Sequence, residues 1–363
     1  MSTDTANTIW YTRCPVPTAS GIAYQRGMFD TAFAGTGFVV RNIRDAGGGK
    51  GGLNTHFSHT LANSFREGGG SPPVWARANG ADTSLLGVSF IEETLGLFVR
   101  SDADIERVED LAGKRCALPV WPELIMNFFR FAALKAFDSA LRLHDMTPAD
   151  VRFVDVTETG DHFALLNPAF ASGQKRQMNS YYNCQMQALL NGEVDAIFAK
   201  GGEIAVMLEE SGGGIRMLYN LIDAGPLWAK VNNATPRILS VSNSLVREHP
   251  DMVVRYARTL LQAAKWARQN TAEATACMAR ETGVDVTDIP TYYTPDLHAK
   301  LAPSLSPTML ETVEVMKRFL YENGFIEHNF DLREWLAADL LKEAYAAEQM
   351  TWQDPGAAVA TAA

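Results

Sequence analysis

Short apolar runs of β type alternate with amphipathic stretches of helical type along most of the chain. Runs of four to eight residues rich in Val, Ile, Leu, Phe and Tyr predict strands. These runs lie at residues 8–12, 37–43, 84–91, 94–100, 151–156, 194–199 and 237–242. Strands that alternate with helices are typical of an α/β protein with mostly parallel sheets flanked by helices.

The predicted helix with the clearest ends follows Ser306. Ser306 is a good N-cap, and Pro307 occupies the first helical position, where its missing amide hydrogen costs nothing. Apolar side chains then share one helical face, and Asn323-Gly324 ends the helix. The residues of that face are Met309, Val313, Met316 and Leu320.

Polar bridges divide the chain into two predicted domains. The segment after residue 100 leaves a strand through polar sequence, and the segment before the strand at 237–242 leads back. We therefore expect a discontinuous α/β domain at 1–100 and 236–363, with a second α/β domain inserted at 101–235. The length of 363 residues is that of about two domains.

Composition and charge narrow the class of protein. The chain is 47% hydrophobic and 20% charged, with a formal net charge of −10, so it lacks the basic surface that nucleic acid requires. No apolar run approaches the roughly 18 residues of a membrane-spanning helix, and the N-terminus has no secretion signal. We expect a monomer in the cytoplasm that binds neither nucleic acid nor a membrane.

The four cysteines are widely spaced and form no C-x-x-C pair, which argues against a zinc knuckle or a redox motif. Cys116, Cys184 and Cys277 are interpreted as small buried residues. Cys14, in "WYTRCPVP", follows a predicted strand and precedes a helix expected to begin near Pro15–Pro17. That helix start would lower the pKa of a partly open thiol. From the residues alone, Cys14 is either a reactive thiol or a core cysteine.

A second stretch, "NTHFSHTLANSFREGGGSPP", combines histidine, arginine and glycine. Arg66 followed by Gly68 and Gly69 before a helix start predicts a cradle for an oxyanion, because arginine offers a fork of donors and glycine lets the backbone come close. The alternatives are a solvated arginine and a structural histidine. His56 and His59 have no acidic third ligand at a suitable spacing, so no metal site is expected.

Three further phrases resemble the two-lobed periplasmic solute-binding proteins of sulfonate and thiamine-precursor uptake. The resemblance implies two α/β lobes that close on a small ligand. These phrases are "VEDLAGKRCALPV", "ALLNGEVDAIFAKGGEIA" and "SLVREHPDMVVRYARTLLQAAKWARQNTAEA".

The cysteine and histidine-arginine stretches together resemble a narrower group, the aromatic sulfinate desulfinases. The matching segments are "YTRCPVP" and "HFSHTLANSFREGGGSPP", in the order and spacing of that family. The resemblance implies that Cys14, His56 and Arg66 are catalytic and that the amide of Gly69 binds the sulfinate. Arg13, the segment ahead of His56 and the middle of the chain depart from the family pattern.

An arenesulfinate carries one negative charge on two oxygens, which Arg66 and glycine amides can bind. Its carbon–sulfur bond breaks when a proton reaches the ring carbon as sulfur dioxide leaves. Either Cys14 donates that proton while His56 restores it, or the Cys14 thiolate attacks sulfur. Phe57 and Trp121 are expected to line the aryl pocket, although ordinary core packing also explains them.

The sequence therefore predicts a cofactor-free desulfinase that converts an aromatic sulfinate similar to 2'-hydroxybiphenyl-2-sulfinate, and water, to an arene and sulfite. The first alternative is a binding protein for a sulfonate or another small anion that serves an ABC importer. A relative of the thiamine-pyrimidine synthases would need a cysteine-rich segment, which four dispersed cysteines do not provide.

Overall fold

The computed structural model describes residues 7–12, 14–43, 49–159 and 180–356, with backbone only at 49–53. The chain divides into two compact units. The first comprises Met1–Ile91, Pro236–Thr282 and Asp296–Ala363, and the second comprises Glu92–Thr235 and Gly283–Pro295. The predicted two-lobed α/β class is confirmed.

The described strands are β1 Thr8–Thr12, β2 Val39–Asn42, β3 Ser64–Gly69, β4 Thr83–Ser89, β5 Leu95–Arg100, β6 Arg115–Val120, β7 Arg152–Thr157, β8 Ile197–Lys200, β9 Ile215–Asn220 and β10 Arg237–Ser242. The described α-helices are α1 Ala19–Gln25, α2 Met28–Phe33, α3 Gly49–Ser58, α4 Ser71–Ala78, α5 Phe128–Leu143, α6 Asn183–Leu190, α7 Glu203–Glu210, α8 Leu227–Lys230, α9 Asn243–Glu248, α10 Pro250–Gln269, α11 Thr271–Thr282, α12 Ile289–Tyr292, α13 Pro307–Glu322 and α14 Ala338–Ala347.

The first unit is built on a five-stranded sheet with the order β2-β1-β3-β10-β4. β1 runs parallel to β2 and β3, whereas β10 runs antiparallel to both β3 and β4. In the second unit, β5 pairs antiparallel with β8 and β9, and β6 pairs parallel with β7. The five-stranded sheet is therefore mixed, and among the described strands three pairings are parallel and four antiparallel, so the sheets are not mostly parallel as expected. Alternating strands and helices predict crossover connections, which make neighbouring strands parallel. The chain enters β10 from the second unit and not through such a crossover, so β10 can run antiparallel to its neighbours.

The division also differs from the predicted domains at two places. β5, assigned to the first domain from the sequence, pairs only with strands of the second unit among the described residues. Residues 283–295 also belong to the second unit, because Glu93 forms a β-bridge with Tyr293 and the amide of Thr94 donates to the carbonyl of Tyr292. The hydropathy pattern does not reveal that residues 283–295 return to the second unit, because the segment is short.

Helix α10 covers one face of the first sheet. Pro250 occupies its first turn, and apolar side chains repeat at helical spacing along one side. The ring of Tyr256 stacks on that of Phe65 in β3, with centroids 3.7 Å apart and planes 4° apart. α13 has the predicted ends and buries Val313, Met316 and Leu320. Among the described residues, no helix has both the length and the hydropathy needed to cross a membrane.

Candidate active site

Cys14 follows β1, at the carboxyl end of a strand that is parallel to both of its neighbours. Its carbonyl accepts from the amide of Val16 at 2.8 Å, and its side chain is half-buried. Helix α1 begins later than predicted, at Ala19, with Thr18 as its N-cap. The prolines therefore shape a connecting turn and do not open the helix.

The first amides of α1 bind groups of the same unit. Ser20 N donates to Glu67 Oε2 at 2.8 Å, and Gly21 N donates to the hydroxyl of Thr18 at 3.0 Å. A carboxylate at a helix N-terminus satisfies amides that would otherwise attract another anion. Glu67 and Thr18 therefore already bind these amides, and the expected effect of the helix start on the Cys14 thiol stays a prediction.

Arg66 lies in strand β3 and is 1% exposed. Its segment was predicted to form an oxyanion cradle before a helix start and was not predicted to be a strand, yet it forms β3, in which every residue is buried. Thr12 of β1 lies opposite Arg66 on one side, and Ser240 of β10 lies opposite it on the other. The solvated alternative is therefore wrong: Arg66 is a central residue of the sheet.

Two backbone carbonyls hold the Arg66 guanidinium. Nε donates to His56 O at 2.9 Å, and Nη1 donates to Gly69 O at 2.8 Å. Within the described residues, no carboxylate pairs with Arg66, and Nη2 makes no hydrogen bond. Burial lowers the pKa of Arg66 to about 10, and the nearby Cys14 opposes that shift. The group is thus a buried cation at neutral pH that no carboxylate of the described residues neutralises.

Gly68 brings Cys14 and Arg66 to one place. A Cβ at position 68 would lie 2.6 Å from Cys14 Cβ, 2.7 Å from Cys14 Sγ and 3.9 Å from Arg66 Nη2. β1 pairs with β3 only as far as Arg66, so the chain after β1 can pass over the next residues of β3. Gly68 is needed because any side chain there would occupy the space of the thiol.

His56 lies in the last turn of α3 and is half-buried. Its ring packs edge-on against that of Phe57, with centroids 5.1 Å apart. The structure links His56 to Arg66 through its carbonyl, one of the final helix carbonyls that have no amide partner within the helix. Proton transfer by its imidazole stays a prediction.

The structure places the other predicted substrate-binding residues in different parts of the fold. The carbonyl of Gly69 binds Arg66, and the role of its amide as an oxyanion donor stays a prediction. Phe57 is 2% exposed. Trp121 belongs to the second unit, where its ring stacks on that of Phe129 with centroids 5.2 Å apart. Arg13 and residues 44–48, where the motifs depart from the desulfinase pattern, lie outside the described residues.

Two buried titratable residues near Arg66 were not proposed as site residues from the sequence. His59, considered only as a metal ligand, is 6% exposed, and burial lowers its pKa to about 4. Glu67 is 2% exposed, and burial raises its pKa. The available signal in the sequence was their place in the motif, since Glu67 follows Arg66 directly and His59 lies three residues after His56. In the described ranges, no group of three or more His, Cys, Asp or Glu residues could hold a metal ion.

Comparisons with known proteins show which proteins this chain resembles. A family model described as NMT1/THI5 like matches residues 71–174. The 2'-hydroxybiphenyl-2-sulfinate desulfinases of Rhodococcus erythropolis and Rhodococcus qingshengii are each 26% identical to the chain, over 93% of both partners. The resemblance to the desulfinases is confirmed.

Solved structures support the fold. A cysteine-to-serine mutant of the desulfurization enzyme DszB with biphenyl-2-sulfinic acid has a TM-score of 0.71 and 23% identity, covering 94% of this chain and 99% of that one. A putative periplasmic sulfonate-binding protein SsuA of Methylobacillus flagellatus has a TM-score of 0.69 and 16% identity, covering 94% and 95%. Desulfinases and sulfonate-binding proteins thus share this fold, so function must be argued from the site.

Proposed function

We propose that the protein is a desulfinase that cleaves the carbon–sulfur bond of an aromatic sulfinate. The observation that carries the proposal is the buried Arg66 guanidinium, which has no carboxylate partner among the described residues and lies beside the half-buried thiol of Cys14. Similarity to the Rhodococcus desulfinases over 93% of the chain supports the same reaction.

Arg66 binds the sulfinate in this proposal. Two donors of its guanidinium are already fixed by the carbonyls of His56 and Gly69, so the group cannot turn away from the site. Nη2 then offers a charge-assisted hydrogen bond to a sulfinate oxygen. Binding of the anion neutralises a buried cation, which gives the site a preference for anionic ligands.

The reaction is ArSO2⁻ + H2O → ArH + HSO3⁻. In the preferred scheme the Cys14 thiol gives its proton to the ring carbon, the carbon–sulfur bond electrons form the new C–H bond, and sulfur dioxide leaves. Water adds to sulfur dioxide, and His56 returns the released proton to the thiolate. In the rival scheme the thiolate bonds to sulfur, the aryl group leaves with a proton from water, and hydrolysis of the adduct releases sulfite.

The second candidate is a sulfonate-binding protein. The structural likeness to SsuA favours it, and a buried guanidinium would serve a sulfonate equally well. The thiol over Gly68 favours the enzyme, because binding an anion does not require a nucleophile or acid at that place.

Sulfite release tests the proposal directly. The purified protein is incubated with 2'-hydroxybiphenyl-2-sulfinate, benzenesulfinate, methanesulfinate and the matching sulfonates, and free sulfite and arene are measured. We expect catalytic release from aryl sulfinates only. Stoichiometric binding of sulfinates and sulfonates without sulfite would contradict the enzyme and support the binding protein. Cys14→Ser is the loss-of-function variant, and Cys184→Ser, also at a half-buried cysteine, is the matched control.

Acid quench separates the two schemes, whereas heavy water does not. Both place one deuterium on the carbon that bore sulfur. Only sulfur attack leaves an adduct of sulfur dioxide mass on Cys14, most readily trapped in His56→Ala. We expect no adduct and a rate in His56→Ala that is about 10² to 10⁴ times lower, the usual range for losing a positioned proton-transfer group.

A further inference from the structure

The buried imidazole of His59 connects the end of α3 to two strands. Nε2 lies 3.3 Å from the carbonyl oxygen of Ser64 in β3, and Nδ1 lies 3.2 Å from the hydroxyl oxygen of Ser240 in β10. The amide of His59 donates to the carbonyl of Thr55 in α3 at 2.8 Å. His59 thus joins two strands through its ring and α3 through its backbone amide.

These contacts fix the tautomer. A carbonyl oxygen only accepts hydrogen bonds, so Nε2 must carry a proton. In the neutral ring Nδ1 is then an acceptor, and the Ser240 hydroxyl donates to it. The serine hydroxyl can donate to a bare Nδ1, so the neutral ring satisfies both strands.

The contacts of His59 surround Arg66. Ser64 is two residues before Arg66 in β3 and therefore on the same face of the sheet, and Ser240 is its direct neighbour across the β3–β10 pair. Arg66 Nε in turn binds the carbonyl of His56, one turn before His59. Hydrogen bonds of His59 and Arg66, together with the pairing of Arg66 and Ser240, thus link α3 to β3 and β10.

The backbone of His59 supports a role for the ring. Its φ is +52°, in the left-handed region that follows many helices. Gly or Asn fills such positions at low cost, and histidine is among the other residues that adopt them. The ring of His59 makes two hydrogen bonds that glycine could not make.

We propose that His59 is a positioning residue that holds the His56 carbonyl and the Arg66 guanidinium in register for the bound anion. The choice of a sulfinate as that anion rests on the proposed function. The positioning itself acts on Arg66 and does not depend on turnover. Without the ring, the end of α3 and the Arg66 side chain lose their fixed spacing, and affinity for the anion falls.

The wild-type protein offers a first test that needs no variant. In protein labelled with ¹⁵N-histidine, we expect a neutral ring for His59 with a protonated, pyrrole-type Nε2 and a bare, pyridine-type Nδ1. A ring with the opposite tautomer would overturn the proposal, since Nε2 could then not donate to Ser64.

Variants test the link to Arg66. In the Cys14→Ser background, His59→Leu should weaken benzenesulfinate binding about 10- to 100-fold, the scale expected for displacing a positioned group by about 1 Å. The Arg66 Nε–H signal should shift in ¹⁵N-arginine-labelled protein. His59→Asn should recover part of the affinity, because Asn tolerates a positive φ and its oxygen can accept from Ser240.

His298→Leu is the matched control, since His298 is also partly buried and hydrogen-bonded to a hydroxyl, that of Thr275. It should leave benzenesulfinate affinity and the Arg66 signal unchanged. If His59→Leu does not fold, Ser240→Ala replaces it and should also shift the Arg66 Nε–H signal. Unchanged affinity and an unchanged Arg66 signal in the His59 or Ser240 variants would overturn the proposal. Absence of sulfite release by the wild type would refute the desulfinase alone.

Discussion

Arg66 Nε donates to the backbone carbonyl of His56 at 2.9 Å. The proposed anion-binding residue therefore completes the last turn of the helix that carries the proposed proton-transfer residue. A change at Arg66 removes a charge and also releases the end of α3.

Removal of the guanidinium should weaken sulfinate binding strongly. In Arg66→Ala, measured by calorimetry in the Cys14→Ser background, we expect a loss of about 2 to 4 kcal/mol, because the anion loses its charged donor. Arg66→Lys should restore only part, since one ammonium cannot bind two carbonyls and present a planar fork. Arg77→Ala, on α4, is the control and should bind normally. Equal affinity in Arg66→Ala and wild type would refute the cradle.

Gly68→Ala should disable the site through a single methyl group. The added Cβ would meet Cys14 Cβ at 2.6 Å and Sγ at 2.7 Å, closer than real contacts, so the thiol must move. We expect sulfite release to fall by about 10²-fold with the fold retained. Gly225→Ala, whose Cβ would meet nothing within 4 Å, is the control. Normal turnover in Gly68→Ala would show that the thiol need not lie there.

Cys14→Ser should lose turnover and keep substrate binding, because the thiol reacts while Arg66 anchors. Cys116→Ser and Cys277→Ser should keep the rate and lose at most about 1 to 3 kcal/mol of stability, since both side chains are buried. Burial also raises the pKa of Cys116 to about 12, so that thiol should resist alkylation. Activity above a few per cent in Cys14→Ser would remove Cys14 from the mechanism.

His59 should make the folded state sensitive to acid. Its pKa falls from 6.5 to about 4 on folding, chiefly through burial, so the unfolded state binds the proton more tightly. The stabilisation is fully present above about pH 6.5 and is lost as the pH falls through about 4, a change of about 3 kcal/mol. Urea unfolding of wild type and His59→Asn over this range should give a flatter profile for the variant. Parallel profiles would contradict the assignment.

Glu67 should change the free energy of unfolding with pH in the direction opposite to that of His59. Burial raises its pKa, so its contribution to stability is fully present below the unfolded pKa and is lost as the pH rises through the folded value. Glu67→Gln keeps an acceptor for Ser20 N and cannot ionise. The free energy of unfolding of the variant relative to wild type should therefore increase with pH, as measured by urea unfolding. A difference independent of pH would show that Glu67 does not titrate in this range.

The sequence predicted the site where reactive residue types occur at the spacing of a known motif. The motifs around Cys14 and Arg66 predicted a shared site, and Gly68 brings the two side chains together. The hydropathy pattern located β1 and β10, whose apolar residues face a core. The predicted two-lobed class followed from the alternation of such runs with helices.

β3 was not predicted, because its sequence, SFREGG, lacks the apolar alternation of a strand. Its charged residues are buried because they have hydrogen-bond partners that the hydropathy pattern does not reveal. These partners are two backbone carbonyls for Arg66 and the N-terminus of α1 for Glu67. Glycine in this strand serves close approach to Cys14 and not flexibility. The roles of His59 and Glu67 depend on the same long-range contacts.

The hydrogen bond between His59 and Ser240 joins residues 181 positions apart in the chain. During synthesis, Cys14, His56 and Arg66 leave the ribosome well before β10 does. Until then β3 has an unpaired edge, a state that favours aggregation and engages chaperones. The first quarter of the chain thus holds all three side chains proposed to act in the reaction, but a nascent chain of that length lacks the strand that completes their surroundings. Co-translational folding of this site must wait until Glu92–Thr235 of the second unit and then β10 are made.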